Sequence, residues 1–180
     1  MNYSYIVIDD DQESVLKTKA MADSFSELVF VASANNYEEG LNLILENTPD
    51  LIFLEIDPAN KKSNLSLLLI NELHRYLKVV PKIIVTTAKK DLAFEALQYE
   101  VTDYLLKPLD IDQLKQAVEK FKLRRNQSDI YERISVLKEG IANDDIKRIA
   151  LPVADGLLFV DVNDIVLLEA QGAYTYVHKK

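Results

Sequence analysis

Short apolar runs that stop at polar side chains constrain this chain more than any other feature. Tyr5-Ile6-Val7-Ile8 runs into Asp9-Asp10-Asp11, and Leu51-Ile52-Phe53-Leu54 runs into Glu55. Ile83-Ile84-Val85 runs into Thr86-Thr87, and Asp103-Tyr104-Leu105-Leu106 into Lys107-Pro108. Runs of this length, separated by helical stretches, predict parallel strands in a sheet of alternating strands and helices. In such sheets ligands bind outside the carboxyl ends of the strands, where the strand order reverses. The four polar clusters are therefore expected to face one crevice. Carboxylates beside a lysine suggest a divalent cation and a phosphoryl group there.

Along the chain, a first strand is expected from Tyr3 to Ile8, then a helix over Gln12 to Ala22 capped by Asp11. Leu28 to Ala32 reads as a second strand. Asn36 can cap a helix that carries Leu41, Ile44 and Leu45 on one face. Asn47-Thr48-Pro49-Asp50 stops that helix before a third strand that is apolar without alternation, as expected of one buried on both faces. A polar loop over Asp57 to Ser66 leads to an apolar third helix, Leu67 to Leu77. A short fourth helix, Asp91 to Tyr99, has Leu92, Ala96 and Tyr99 as its inner face. Asp110, with Gln113 three residues on, opens a fifth helix carrying Leu114, Ala117, Val118 and Phe121. Right-handed crossovers wind these units into an α/β, doubly wound, five-stranded parallel sheet within residues 1–122.

Arg124 to Ser128 breaks the apolar stripe and reads as a linker. Ile130, Ile134, Leu137 and Ile141 then recur at heptad-like spacing, so residues 123–145 are read as a linker helix. Two heptads fit a connector packing on its own chain better than a coiled coil. After Asp144 the period changes, and Arg148–Val153, Leu157–Val160, Ile165–Glu169 and Tyr174–His178 read as short strands. Asp155-Gly156 is a hairpin signal between the first two. Residues 146–180 are thus expected to be a small all-β module that is incomplete, as in a fragment of a longer protein.

A formal net charge of -8 argues against a chain that coats nucleic acid over its whole surface, though not against a local basic face. There is no cysteine, hence no disulfide frame and no thiolate chemistry. No leader-like segment opens the sequence and no apolar run is long enough for a bilayer, so a cytoplasmic location without membrane partners is expected. His74 lies among charges on the third helix, and His178 has no ligand-like neighbours in sequence.

Taken together, Ile8-Asp9-Asp10-Asp11, Pro49 to Glu55, Thr87-Ala88 and Asp103 to Pro108 resemble the receiver domain of two-component response regulators, a flavodoxin-like fold. The motifs stand in that family's order over about the first 122 residues. Arg148 to Pro152, Asp155-Gly156, Asp161 to Ile165 and Leu168 to Thr175 resemble the opening of a LytTR-type DNA-binding domain. The resemblance implies a cytoplasmic, non-enzymatic transcription regulator with a sensor histidine kinase, DNA and a second copy of itself as partners. Much of the DNA-contacting surface of such a domain would lie beyond Lys180.

By this resemblance Asp9, Asp10, Glu55 and the backbone carbonyl of Asp57 would hold Mg²⁺. Lys107 and Thr87 would contact the phosphoryl group, with Thr86 the alternative to Thr87. Tyr104 matches the aromatic position that swings inward when the threonine moves. A plainer reading makes Asp9-Asp10-Asp11 a solvated strand end with a helix cap. The departure is Glu55, which stands at the position of the phosphoacceptor aspartate. Its carboxylate sits about 1.5 Å further out, and phosphoryl transfer depends on positioning. Poor phosphorylation is expected, with Glu55 either mimicking the modification or neutralising Lys107 in an inert pseudo-receiver that only assembles. Pro58 and the lack of glycine before the third helix also depart from the family's loop. A further resemblance is to haloacid-dehalogenase-type phosphatases, with Asp9 as nucleophile and Asp11 as acid. Glu13 stands where that family expects threonine or valine, and no late pair of acids completes its metal site.

Overall fold

The computed structural model describes residues 2–141, 148–153, 156–161, 165–171 and 174–179. The backbone forms two compact units, Met1–Arg125 and Asn126–Lys180. In the first, β1 (Tyr3–Ile8), β2 (Leu28–Ala34), β3 (Leu51–Leu54), β4 (Lys82–Thr87) and β5 (Asp103–Leu106) alternate with α1 (Gln12–Ala22), α2 (Tyr37–Asn47), α3 (Leu68–Tyr76), α4 (Ala93–Gln98) and α5 (Ile111–Ile141), whose residues from Asn126 on are counted in the second unit. The sheet is five-stranded in the order β2-β1-β3-β4-β5, with every pairing parallel. This is the expected flavodoxin-like sandwich. Order reverses between β1 and β3, so Asp9 and Glu55 emerge side by side, with Ile8 paired to Leu54 just before them.

Strand side chains alternate between two apolar layers. Ile6, Ile8, Ile52, Leu54, Ile83 and Val85 point toward Ile44 of α2, Leu69, Ile70 and Leu73 of α3 and Ala96 of α4. Tyr5, Val7, Leu51, Phe53, Ile84 and Leu105 point the other way, toward Val15 of α1 and Leu114, Val118 and Phe121 of α5. Phe53 meets Tyr5 edge-on at 5.6 Å between ring centroids. Gly40 lets α2 approach the sheet closely, since a Cβ there would lie 3.0 Å from Ile8 Cδ1.

The helix starts follow from local polar chemistry. Asp11 accepts the N–H of Glu13, Asn36 that of Glu39, and Asp110 those of Asp112 and Gln113. Each fills donors that a helix N-terminus leaves open. α4 is shorter than expected and starts without a side-chain cap, at Leu92. The fifth helix does not break at Arg124 to Ser128 but continues to Ile141. Those residues are polar, yet none is a helix breaker, and no glycine or proline occurs from Ile111 to Glu139. The side chains of Ile134, Leu137 and Ile141 lie outside the described set, and with them the heptad-like reading.

In the second unit, β6 (Arg148–Val153) pairs antiparallel with β7 (Gly156–Asp161), and β8 (Ile165–Gln171) with β9 (Tyr174–Lys179). Of the Asp155-Gly156 hairpin signal, Gly156 begins β7 and Asp155 lies outside the described residues. Among the described residues no helix is long and apolar enough to cross a membrane.

Phe53 fills the centre of one layer and is fully buried. Replacing it with alanine removes an aromatic ring and leaves a cavity. The Phe53→Ala chain should lose about 3–5 kcal/mol of stability in urea titrations.

Candidate functional site

Four of the five strands, β1, β3, β4 and β5, deliver polar side chains to the carboxyl edge. β1 delivers Asp9, which is almost wholly buried. Its Oδ1 accepts the N–H of Asp11 at 2.9 Å, and its Oδ2 accepts the Ser14 hydroxyl at 2.7 Å and the Lys107 ammonium at 2.6 Å. β3 delivers Glu55, also buried, whose backbone N–H continues the ladder to the Ile8 carbonyl at 2.8 Å. Its Oε2 accepts a second hydrogen bond from the same Lys107 ammonium. β5 delivers Lys107, ahead of a cis peptide to Pro108.

β4 ends in two buried threonines, and strand alternation separates their roles. Thr87 faces the crevice, where its hydroxyl donates to the Ile56 carbonyl at 2.8 Å and accepts the Lys89 N–H at 3.2 Å. The Thr86 hydroxyl is buried without a hydrogen-bond partner. Tyr104 is half-buried, and its hydroxyl donates to the Lys89 carbonyl. The Lys89 ammonium lies 3.4 Å from Asp57 Oδ1, so the segment after β4 is tied to both β5 and the loop after β3.

Burial pushes the Glu55 carboxyl above its usual range, against the lowering pull of Lys107 and Thr87. For Lys107, burial alone would lower the ammonium, but hydrogen bonds and charge from Asp9 and Glu55 outweigh it and the net shift is upward. Burial, with the nearby charges of Asp91 and Glu55, pushes the Tyr104 phenol up to about 12. One ammonium shared by two buried carboxylates leaves a net negative cluster, which favours keeping protons on the site.

Each residue expected to hold a cation already gives an oxygen to a protein donor. Mg²⁺ needs an octahedron of oxygens. Asp9 is spent on Lys107, Ser14 and Asp11. Asp10 Oδ2 accepts the Asn60 side-chain amide at 2.5 Å, and the Asp57 carbonyl accepts the Asn60 backbone N–H at 3.0 Å. Among the described residues no cluster of three or more acids or histidines is arranged to hold a metal. The donor set as arranged does not fit the ion. Sequence reasoning missed Asn60, which lies in the polar loop three residues after Asp57 and carries no pattern that marks it. Asp11 serves as the α1 cap, and His74 is exposed on α3.

The response regulator receiver domain family matches residues 5–119. The chain belongs to that family. It is 27% identical over 161 residues to the sensory transduction protein LytT of Bacillus anthracis, covering 89% of this chain and 63% of the relative. It is 26% identical over 176 residues to the sensory transduction protein LytR of Staphylococcus epidermidis, covering 96% of this chain and 68% of that one. The chain thus spans about 63% of the length of the Bacillus relative. Among solved structures, the response regulatory domain of MrkE from Klebsiella pneumoniae superposes with a TM-score of 0.61 at 26% identity, over 69% of this chain and 98% of that one. The receiver domain of AraT from Geobacillus stearothermophilus gives 0.59 at 27% identity, over 72% and 99%.

The raised Glu55 carboxyl gives the receiver a pH signature. An acid whose folded pKa is raised contributes stability that is complete below its ordinary value, about 4.5, and is lost as pH rises through the folded value. Lys107, also raised, contributes stability that is complete below its ordinary value of about 10.5 and lost above it. In urea titrations from acid to neutral pH, the native chain should lose stability relative to Glu55→Gln as pH climbs above about 4.5. Parallel curves for the two chains would show that Glu55 is not the source.

Proposed function

We propose that the chain is the receiver-bearing part of a transcription-controlling response regulator whose switch is set by Glu55 rather than by phosphoryl transfer. The observation that carries this reading is the Lys107 ammonium, which is held by Asp9 and Glu55 together. In a receiver with aspartate at that position the lysine is the group that meets the incoming phosphoryl oxygen. Here the longer carboxylate reaches it directly. Glu55 brings one negative charge where a phosphoryl group brings nearly two, so the mimicry is partial.

Tyr104 supports a bias toward the switched-on arrangement. It packs half-buried against the core with its hydroxyl tied to the Lys89 carbonyl, a contact that an inward position of this aromatic would make. Thr87 has one hydroxyl proton and two acceptors in reach, the Ile56 carbonyl and the Glu55 carboxylate. The site's roles follow: Glu55 is the fixed switch, Lys107 its counter-charge, Thr87 and Tyr104 the readers.

The reading divides the chain into a receiver over residues 1–122, a linker helix over 123–145 and the first part of a LytTR-type DNA-binding domain over 146–180. Two antiparallel strand pairs in the tail support the last assignment, with DNA as partner of the complete domain. A sensor histidine kinase would dock but find no competent acceptor. A second reading, constitutive dimerisation without any switch, draws on Phe94 and Leu97, which are exposed on one face of α4.

The test is intact mass after incubation with acetyl phosphate and Mg²⁺, for the native chain and for Glu55→Asp. No phosphoryl adduct is expected on the native chain, and an adduct there would overturn the reading. An adduct confined to Glu55→Asp would locate the block in one methylene.

A further inference from the structure

The loop between β3 and α3 has a hub. Asn60 Oδ1 accepts the N–H of Lys62 at 3.1 Å and that of Ser63 at 3.5 Å. Those two donors fix which end of the amide faces inward, because only the oxygen can accept them. The Nδ2 end is therefore aimed at Asp10, to which it donates across 50 residues of sequence. The Asn60 backbone N–H donates to the Asp57 carbonyl at 3.0 Å, and the Asn60 carbonyl accepts the Asn64 N–H at 3.0 Å. Asn64 itself sits in the left-handed region, with φ 53°.

Each of the four residues named for a cation thus gives one oxygen to one of two protein donors. Lys107 takes Asp9 and Glu55; Asn60 takes Asp10 and the Asp57 carbonyl. The first supplies the positive charge and the second supplies the bridge from strand β1 to the loop. A divalent ion would do both jobs at once, and at this edge both are done by the chain.

We propose that Asn60 is a positioning residue that stands in for the cation, locking the β3–α3 loop onto Asp10 so that the receiver holds its arrangement without Mg²⁺. The proposal deepens the reading of Glu55 as a fixed switch. It rests on the receiver assignment of the acid cluster, but not on Glu55 being unreactive. A phosphoryl adduct on the native chain would overturn the proposed function, whereas metal dependence of folding stability bears on Asn60.

The experiment is thermal unfolding of the whole chain with and without MgCl2, for the native sequence and for Asn60→Asp. The native midpoint is expected not to move with Mg²⁺. In Asn60→Asp a carboxylate replaces the amide beside Asp10, so like charges meet and the midpoint falls without metal. Mg²⁺ should then restore it in a saturable way, by about 4 °C at ten times the dissociation constant. A saturable Mg²⁺ shift in the native chain would overturn the proposal, as would a folded Asn60→Asp chain as indifferent to Mg²⁺ as the native one. If Asn60→Asp does not fold, Mn²⁺ added to the ¹⁵N-labelled native chain decides. Amide signals of Asp10, Asp57 and Asn60 should stay sharp at substoichiometric Mn²⁺, and their selective broadening would overturn it.

Discussion

Everything at the carboxyl edge depends on one ammonium group placed between two buried carboxylates. Asp9 and Glu55 leave neighbouring parallel strands at the point where strand order reverses, so the fold brings two negative charges together inside protein. Removing even one such ion from water costs several kcal/mol after relaxation. Lys107 offsets that cost only because β5 delivers it to both at hydrogen-bond distance. Ser14 and the Asp11 N–H take the remaining valence of Asp9 and fix its direction. The cluster is therefore directional as well as charged, and its geometry restrains three strands and the start of α1.

A single methylene changes what this geometry can do. Transfer to a carboxylate depends on an in-line acceptor oxygen; a misplacement of about 1 Å can cost about 10²-fold in rate, and the extra reach here is about 1.5 Å. Charge is more forgiving than position, because an ion pair only weakens gradually with distance. On the proposed function, glutamate at this position keeps the electrostatics of the site and gives up the in-line geometry. That asymmetry is why Glu55 is better explained as a standing charge than as a reluctant acceptor.

Much of this was legible in the sequence wherever the signal is local. The strand runs, the caps at Asp11, Asn36 and Asp110, and the acids at strand ends are set by neighbours within a few residues. The doubly wound sheet then follows from crossover handedness. What escaped was non-local or ambiguous. Asn60 meets Asp10 only through the fold, and an asparagine in a polar loop carries no pattern of its own. The run Arg124 to Ser128 looks like a break because it interrupts the apolar stripe. A helix can nonetheless pass through polar residues when no breaker intervenes, and α5 does so. Which threonine faces the crevice depended on the phase of β4, fixed by its pairing of Thr87 with Leu106.

On the proposed function, signalling works through a receiver whose charge at Glu55 is permanent. A group shifts a conformational equilibrium only by its differential interaction with the two states, and a fixed charge contributes the same bias at all times. Glu55 therefore cannot carry information by itself; it can only set the resting balance. The side chains proposed to read such a balance are connected to one another. Tyr104 holds the Lys89 carbonyl, and Lys89 reaches Asp57 on the loop that Asn60 secures. A change imposed anywhere on that connected set, by a protein bound over α4 or by a second copy of the chain, would be felt at Glu55 as surely as the reverse, because coupling between sites is reciprocal. Under the proposed function, regulation through assembly or abundance is the input that a fixed charge leaves open.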